Sequence, residues 1–128
     1  MLKESLYKVK ELSGNAMEGV YSYQLHFLPD NSIFDGHFPN QPVVPGVVII
    51  QIVKEMMSDI LGTSCYYYKI LQTKFLQVIN PNEQLSFLLE LKISSQEEIY
   101  SIDVVLQNET TIAFKMKAKI KKEAEDAR

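Results

Sequence analysis

The sequence predicts an α+β domain in which an antiparallel sheet curls around one buried helix. Three observations predict it. Val47 to Leu61 is apolar over most of a helical circumference, several later segments alternate apolar and polar residues, and short polar turns separate those segments. The chain of 128 residues suits one compact domain and is too short for two ordinary ones, so residues 1–128 are read as a single unit with a charged tail from about 121 to 128.

The elements follow in order. A short strand is expected around Leu6 to Leu12, with Ser13-Gly14-Asn15 as its turn. Val20 to Phe27 places Tyr21, Tyr23, Leu25 and Phe27 on one face and Ser22, Gln24 and His26 on the other, the pattern of a half-buried strand with His26 at the surface. Pro29-Asp30-Asn31-Ser32 ends that alternation. The helix starts behind Pro45-Gly46 and stops at Gly62. Its polar residues Gln51, Lys54, Glu55 and Ser58 form one narrow stripe that is expected to face solvent or a partner subunit. Strands then run from Tyr66 to Ile79, Gln84 to Ser94, Ile99 to Gln107 and Thr111 to Ile120, and the short turns between them predict a meander. A sheet this small leaves edges and apolar surface to cover, so pairing with a second copy is expected.

Composition narrows the function classes. A net charge of −3 argues against a nucleic-acid partner, which wants a basic footprint. The single cysteine, Cys65, rules out an intrachain disulfide and fits a reducing cytoplasm. Two histidines without metal-ligand spacing lead to an expectation of no metal and no cofactor. The first residues contain no signal-peptide core, and the longest apolar stretch is too short to span a membrane. Cys65 and Tyr66-Tyr67-Tyr68 read as packing residues, because nothing local would activate the thiol.

The segment Gly36-His37-Phe38-Pro39-Asn40-Gln41-Pro42-Val43-Val44-Pro45-Gly46 concentrates the chemistry. It sets a histidine, the side chain titrating nearest neutrality, in a proline-braced loop. The loop ends at a helix N-terminus, whose unpaired N–H groups can polarise a carbonyl. A base and an electrophilic cradle together suggest chemistry beside a carbonyl.

This loop, through Val47, resembles the signature of the 3-hydroxyacyl-[acyl-carrier-protein] dehydratases of fatty acid synthesis. Thr73-Lys74-Phe75 and the following Asn80-Pro81-Asn82-Glu83-Gln84-Leu85 are similar to that family's strand–turn–strand, with the usual turn glycine absent. The resemblance covers roughly residues 20 to 120. It implies a hotdog fold, a dimer with sites at the subunit interface, and an acyl carrier protein bearing the substrate on phosphopantetheine. It implies His37 as the base that takes the proton beside the thioester carbonyl, and the Gly46 N–H as donor to the carbonyl oxygen. Phe38, Pro45 and Val47 join Gly46 against the substrate.

In that family an Asp or Glu fourteen residues after the histidine, on the other subunit's helix, helps the 3-hydroxyl leave. Here the position is Gln51, whose carboxamide can orient a hydroxyl but has no proton to give at neutral pH. Glu55, one turn later, leans back toward Gln51 and is a second candidate for the acid. Three functions stay open: a dehydratase lyase acting on carrier-bound chains; a non-catalytic or half-site hotdog subunit whose partner supplies the carboxylate; and an acyl thioesterase. Lys115, Lys117 and Lys119 share one face of the last strand, either as a solvated face that discourages edge pairing or as a docking surface for an acidic carrier.

Overall fold

The computed structural model describes residues 7–15, 18–28, 43–81, 86–109 and 111–123. Within them lie six strands, β1 (Tyr7–Asn15), β2 (Val20–Phe27), β3 (Cys65–Phe75), β4 (Ser86–Gln96), β5 (Ile99–Gln107) and β6 (Ile112–Lys122), and one helix, α1 (Gly46–Leu61). All strand pairs are antiparallel, in the order β1-β2-β4-β5-β6-β3. Among the described residues no helix is long and apolar enough to cross a membrane.

The helix begins where its punctuation says it should. Pro45 is extended (φ −64°, ψ 144°) and α1 starts at the next residue. It ends at Gly62, whose φ of 73° is open to glycine at little cost and whose N–H reaches the Ser58 carbonyl at 2.9 Å. Val48, Ile49, Ile52, Val53, Met56 and Met57 are buried against the inward residues of the sheet, including Leu25, Phe27, Leu89, Leu91, Leu106, Phe114 and Met116. Alternation on β2 and β6 matches the expected faces: Tyr23, Leu25 and Phe27 point in, and Lys115 and Lys117 point out.

Three expectations need correction. The last four strands are not one meander. β4, β5 and β6 follow each other, but β3 pairs with β6 at the far edge and does not touch β4 in the ladder. The reason lies at the end of β3. It stops at Phe75, where the Leu76 and Gln77 N–H groups both bond the Ala113 carbonyl at 2.8 and 3.2 Å. The chain then leaves the sheet, and Ile79 accepts a bond from the Val44 N–H at 2.9 Å beside the start of α1. Residues 76–79 therefore serve as a strap at the helix N-terminus instead of prolonging the strand.

Second, Ser13-Gly14-Asn15 is not a turn. The pairing of β1 with β2 shifts register between Glu11 and Ser13 and continues through Asn15, because a bulge absorbs the break in alternation. Third, Lys121 and Lys122 belong to β6, and Glu123 still bonds the Ser64 carbonyl at 2.9 Å. Residues 124–128 of the expected tail lie outside the described residues.

Candidate functional site

α1 is gripped from two sides by the edge strands. On the β3 side, the Tyr67 phenol donates to the Ile50 carbonyl at 2.6 Å, and Cys65 Sγ lies 3.2 Å from Ser58 Oγ and 3.7 Å from the Lys54 carbonyl. On the β1 side, Tyr7 reaches Glu55. Between these two attachments runs a face of the helix that the described part of the sheet leaves open, carrying Val47 at 73% exposure and, one turn later, the exposed Gln51.

The helix start is prepared for an acceptor. Among the described residues no side chain caps it, and its first turn carries no acidic residue. Its N–H groups thus keep the partial positive charge of an uncapped terminus. Gly46 is the first helical residue, and its missing side chain has a definite purpose. A Cβ there would lie 2.7 Å from Phe75 Cζ, too close for any real contact. The ring of Phe75 therefore approaches the helix backbone only because position 46 is glycine. Phe75 and the following Leu76 and Val78 are exposed apolar residues, as is Val47 in the first turn of α1.

The polar stripe expected from the sequence is split. Gln51 is exposed, whereas Glu55 is 4% exposed and sits among core residues. The expectation that Glu55 faces solvent is overturned. Helical side chains lean toward the N-terminus, and position 55 faces the seam between α1 and β1, where a phenol awaits it. Tyr7 Oη donates to Glu55 Oε1 at 3.0 Å, and Gln51 Nε2 donates to Glu55 Oε2 at 3.4 Å. A carboxylate out of water needs such donors. Burial first, then the Glu55 charge and hydrogen bond, push the Tyr7 phenol well above the usual tyrosine range, so it remains the donor.

The sequence missed Tyr7 and Tyr67. Tyr67 does pack, as its sequence context suggests, and its bond to the Ile50 carbonyl adds an attachment to α1 that only its strand position facing the helix could flag. For Tyr7 no spacing rule links it to a residue 48 positions away. The sequence-derived site residues fall into groups. Pro45, Gly46, Val47, Gln51 and Glu55 share one stretch of α1 and its entry. His37 and Phe38 lie outside the described residues. Lys115 and Lys117 are exposed and Lys119 half-buried on the outer face of β6, the side of the sheet turned away from α1, where Lys117 is in register with Asp103 and Lys115 with Lys74.

Comparison with known proteins follows the same stretch. Among curated proteins, the chain is 35% identical over 69 residues to a 3-hydroxyacyl-[acyl-carrier-protein] dehydratase FabZ of Levilactobacillus brevis, covering 48% of this chain and 47% of that one. It is 28% identical over 94 residues to the FabZ of Syntrophobacter fumaroxidans, covering 67% of this chain and 60% of that one. The chain thus spans about half the length of the curated relatives it matches. Among solved structures, the dehydratase heterocomplex ApeI:P from Xenorhabdus doucetiae superposes with a TM-score of 0.69 at 24% identity, over 90% of this chain and 99% of that chain. The PaaI protein of E. coli superposes with a TM-score of 0.59 at 12% identity, over 91% of this chain and 80% of that chain. These two likenesses identify the fold as the hotdog, a sheet wrapped around a central helix. The model of the ApeI-like family, described as ApeI dehydratase, matches residues 14–119, which include the proline-braced loop, the start of α1, Gln51 and Glu55, and the chain belongs to that family.

Proposed function

We propose that this protein removes water from 3-hydroxyacyl thioesters carried on acyl carrier protein, giving the 2-enoyl form. The observation that carries the reading is the start of α1 at Gly46, which no described side chain caps and which lies against the exposed ring of Phe75, with exposed Val47 and Gln51 following on the helix. In this reading His37 takes the C2 proton as base. The Gly46 N–H bonds the thioester carbonyl oxygen as negative charge grows on it. The C3–O bond breaks, and the oxygen leaves as water. Gln51 holds that hydroxyl but has no proton to give. The balancing proton is then the one His37 has just accepted, handed on by the imidazolium, which is acidic enough near neutral pH. Exposed Lys115 and Lys117 with half-buried Lys119 offer an acidic carrier protein a place to dock, and the long apolar edge of β3 offers a second copy a place to pair.

The test is an assay of the purified protein on a 3-hydroxyacyl-carrier substrate, following the enoyl chromophore. Wild type turns over, His37→Ala loses at least about 10²-fold, and Gln51→Glu gains. No turnover at high enzyme concentration sinks the reading.

One observation favours a second reading. The exposed helix residue is an amide, and the available carboxylate is buried one turn deeper and engaged by Tyr7. A half-site subunit whose hotdog partner brings its own carboxylate fits this, and one structural neighbour is itself a dehydratase heterocomplex. Activity that appears only on adding a second hotdog protein selects this reading over the first.

A further inference from the structure

The geometry points to Glu55 as a positioning residue that, braced by Tyr7, locks the Gln51 carboxamide with its NH2 turned inward and its carbonyl oxygen turned toward the substrate's 3-hydroxyl. The inference rests on the reading of Gln51 as the group that meets that hydroxyl.

Gln51 lies four residues before Glu55, on nearly the same helix face, and its Nε2 reaches Glu55 Oε2 at 3.4 Å. An amide can be turned over, exchanging N for O. Turned over here, it would set a carbonyl oxygen against a carboxylate oxygen, acceptor against acceptor. The other carboxylate oxygen is occupied by the Tyr7 phenol at 3.0 Å, which holds the carboxylate in place. Glu55 is 4% exposed and cannot swing out to solvent, whereas Gln51 is exposed. The buried Glu55 side chain, held by Tyr7, therefore decides which end of an exposed amide faces outward.

The consequence is a site that offers an acceptor at this point. A free 3-hydroxyl donates its O–H to Gln51 Oε1. After the C3–O bond breaks, the departing water still has O–H groups to donate to the same oxygen. An acyl chain with no hydroxyl at C3 leaves that acceptor unmet. Discrimination of about tenfold follows from one such hydrogen bond.

Calorimetric titration with two pantetheine amides, 3-hydroxyoctanoyl and octanoyl, measures this without turnover. Wild type is expected to bind the hydroxylated probe about tenfold more tightly. Glu55→Gln, which can present its own NH2 and free the Gln51 amide to turn, brings the ratio to about one with octanoyl affinity unchanged. Gln51→Ala does the same, and adding Glu55→Gln to it changes the ratio no further, an outcome that a general packing role for Glu55 would not give. Tyr7→Phe keeps the carboxylate but loosens it, and lowers the ratio about two- to threefold; it serves if Glu55→Gln does not fold. Equal binding of both probes by wild type, or a ratio that survives Gln51→Ala or Tyr7→Phe or a folded Glu55→Gln, overturns the assignment. Turnover measured in parallel separates the two ideas: a Glu55-dependent ratio in a protein without dehydratase activity keeps the positioning role and sinks the proposed function.

Discussion

Phe75 lays its ring against the backbone of Gly46, so that the end of β3 and the start of α1 meet with no room for a methyl group between them. Gly46→Ala must push the ring aside, and because the ring is 55% exposed it can swing outward, so the cost stays at or below the low end of the about 1–3 kcal/mol of core overpacking. Phe75→Leu shortens the side chain and relieves the clash. Urea denaturation of the two single variants and the double is expected to give a coupling of about 0.5–1 kcal/mol, with the alanine tolerated better beside leucine. Purely additive losses would mean that the ring is not fixed there.

The free edge of β3 is long and apolar. Tyr66, Tyr68, Ile70, Leu71 and Phe75 are all exposed, on a strand of eleven residues that among the described residues pairs only on its β6 side. An unpaired edge of that kind invites a second strand. In a two-fold pairing each residue of the interface is presented twice, so Leu71→Lys brings two like charges together. Sedimentation is expected to give a dimer for wild type and at least about tenfold weaker association for Leu71→Lys. A monomeric wild type at micromolar concentration would refute this.

Two buried phenols, Tyr7 and Tyr23, and the half-buried Tyr67 make the fold sensitive to alkali. Burial, helped by nearby Glu11, pushes Tyr23 up to about 12, and burial above all pushes Tyr7 and Tyr67 upward as well. The folded state holds these protons where the unfolded chain, with an ordinary value of 10.0, releases them. Stability from this source is complete below pH 10 and falls as pH rises toward and through the folded values. Each such group contributes a slope of at most about 1.4 kcal/mol per pH unit in that window. Part of the tyrosinate absorbance is therefore expected to appear together with loss of far-UV circular dichroism above pH 10, and Tyr23→Phe to move that transition to higher pH. Complete tyrosine ionisation with the dichroism intact would contradict it.

Periodicity made the secondary structure legible where packing obeys it. β2 and β6 alternate because one face meets the core, and α1 is bounded by Pro45 and Gly62 because those residues stop hydrogen-bond ladders. The partner of β3 was not legible. A polar turn after an apolar run looks the same whether the next strand pairs with it or lies at the opposite side of the sheet, and only the bonds of Leu76 and Gln77 to Ala113 decide. At the site, the helix start at Gly46 and the helix position of Gln51 are local features legible in the sequence, but the roles proposed for them come from the resemblance to the dehydratases. The burial of Glu55 is not legible there, because it depends on Tyr7 arriving from a strand at the far edge of the sheet.

Cys65 reports on how firmly β3 is held to α1. Its thiol is fully buried, 3.2 Å from Ser58 Oγ, and the strand beside it is anchored by the 2.6 Å bond from Tyr67 to the Ile50 carbonyl. A thiol reagent can reach it only when the start of β3 lifts away from the helix, so labelling measures that opening. Native protein is expected to react with a chromogenic disulfide at least about 10³-fold more slowly than a free thiol, corresponding to an opening cost of about 4 kcal/mol. Tyr67→Phe removes the anchoring donor while keeping the ring, and an intramolecular hydrogen bond is worth about 0.5–1.5 kcal/mol. Labelling should then speed up by about two- to tenfold, with little change in overall dichroism. Equal labelling rates for wild type and Tyr67→Phe would show that this bond does not hold the strand, and that the apolar contacts of Cys65 and Tyr67 with α1 hold it instead.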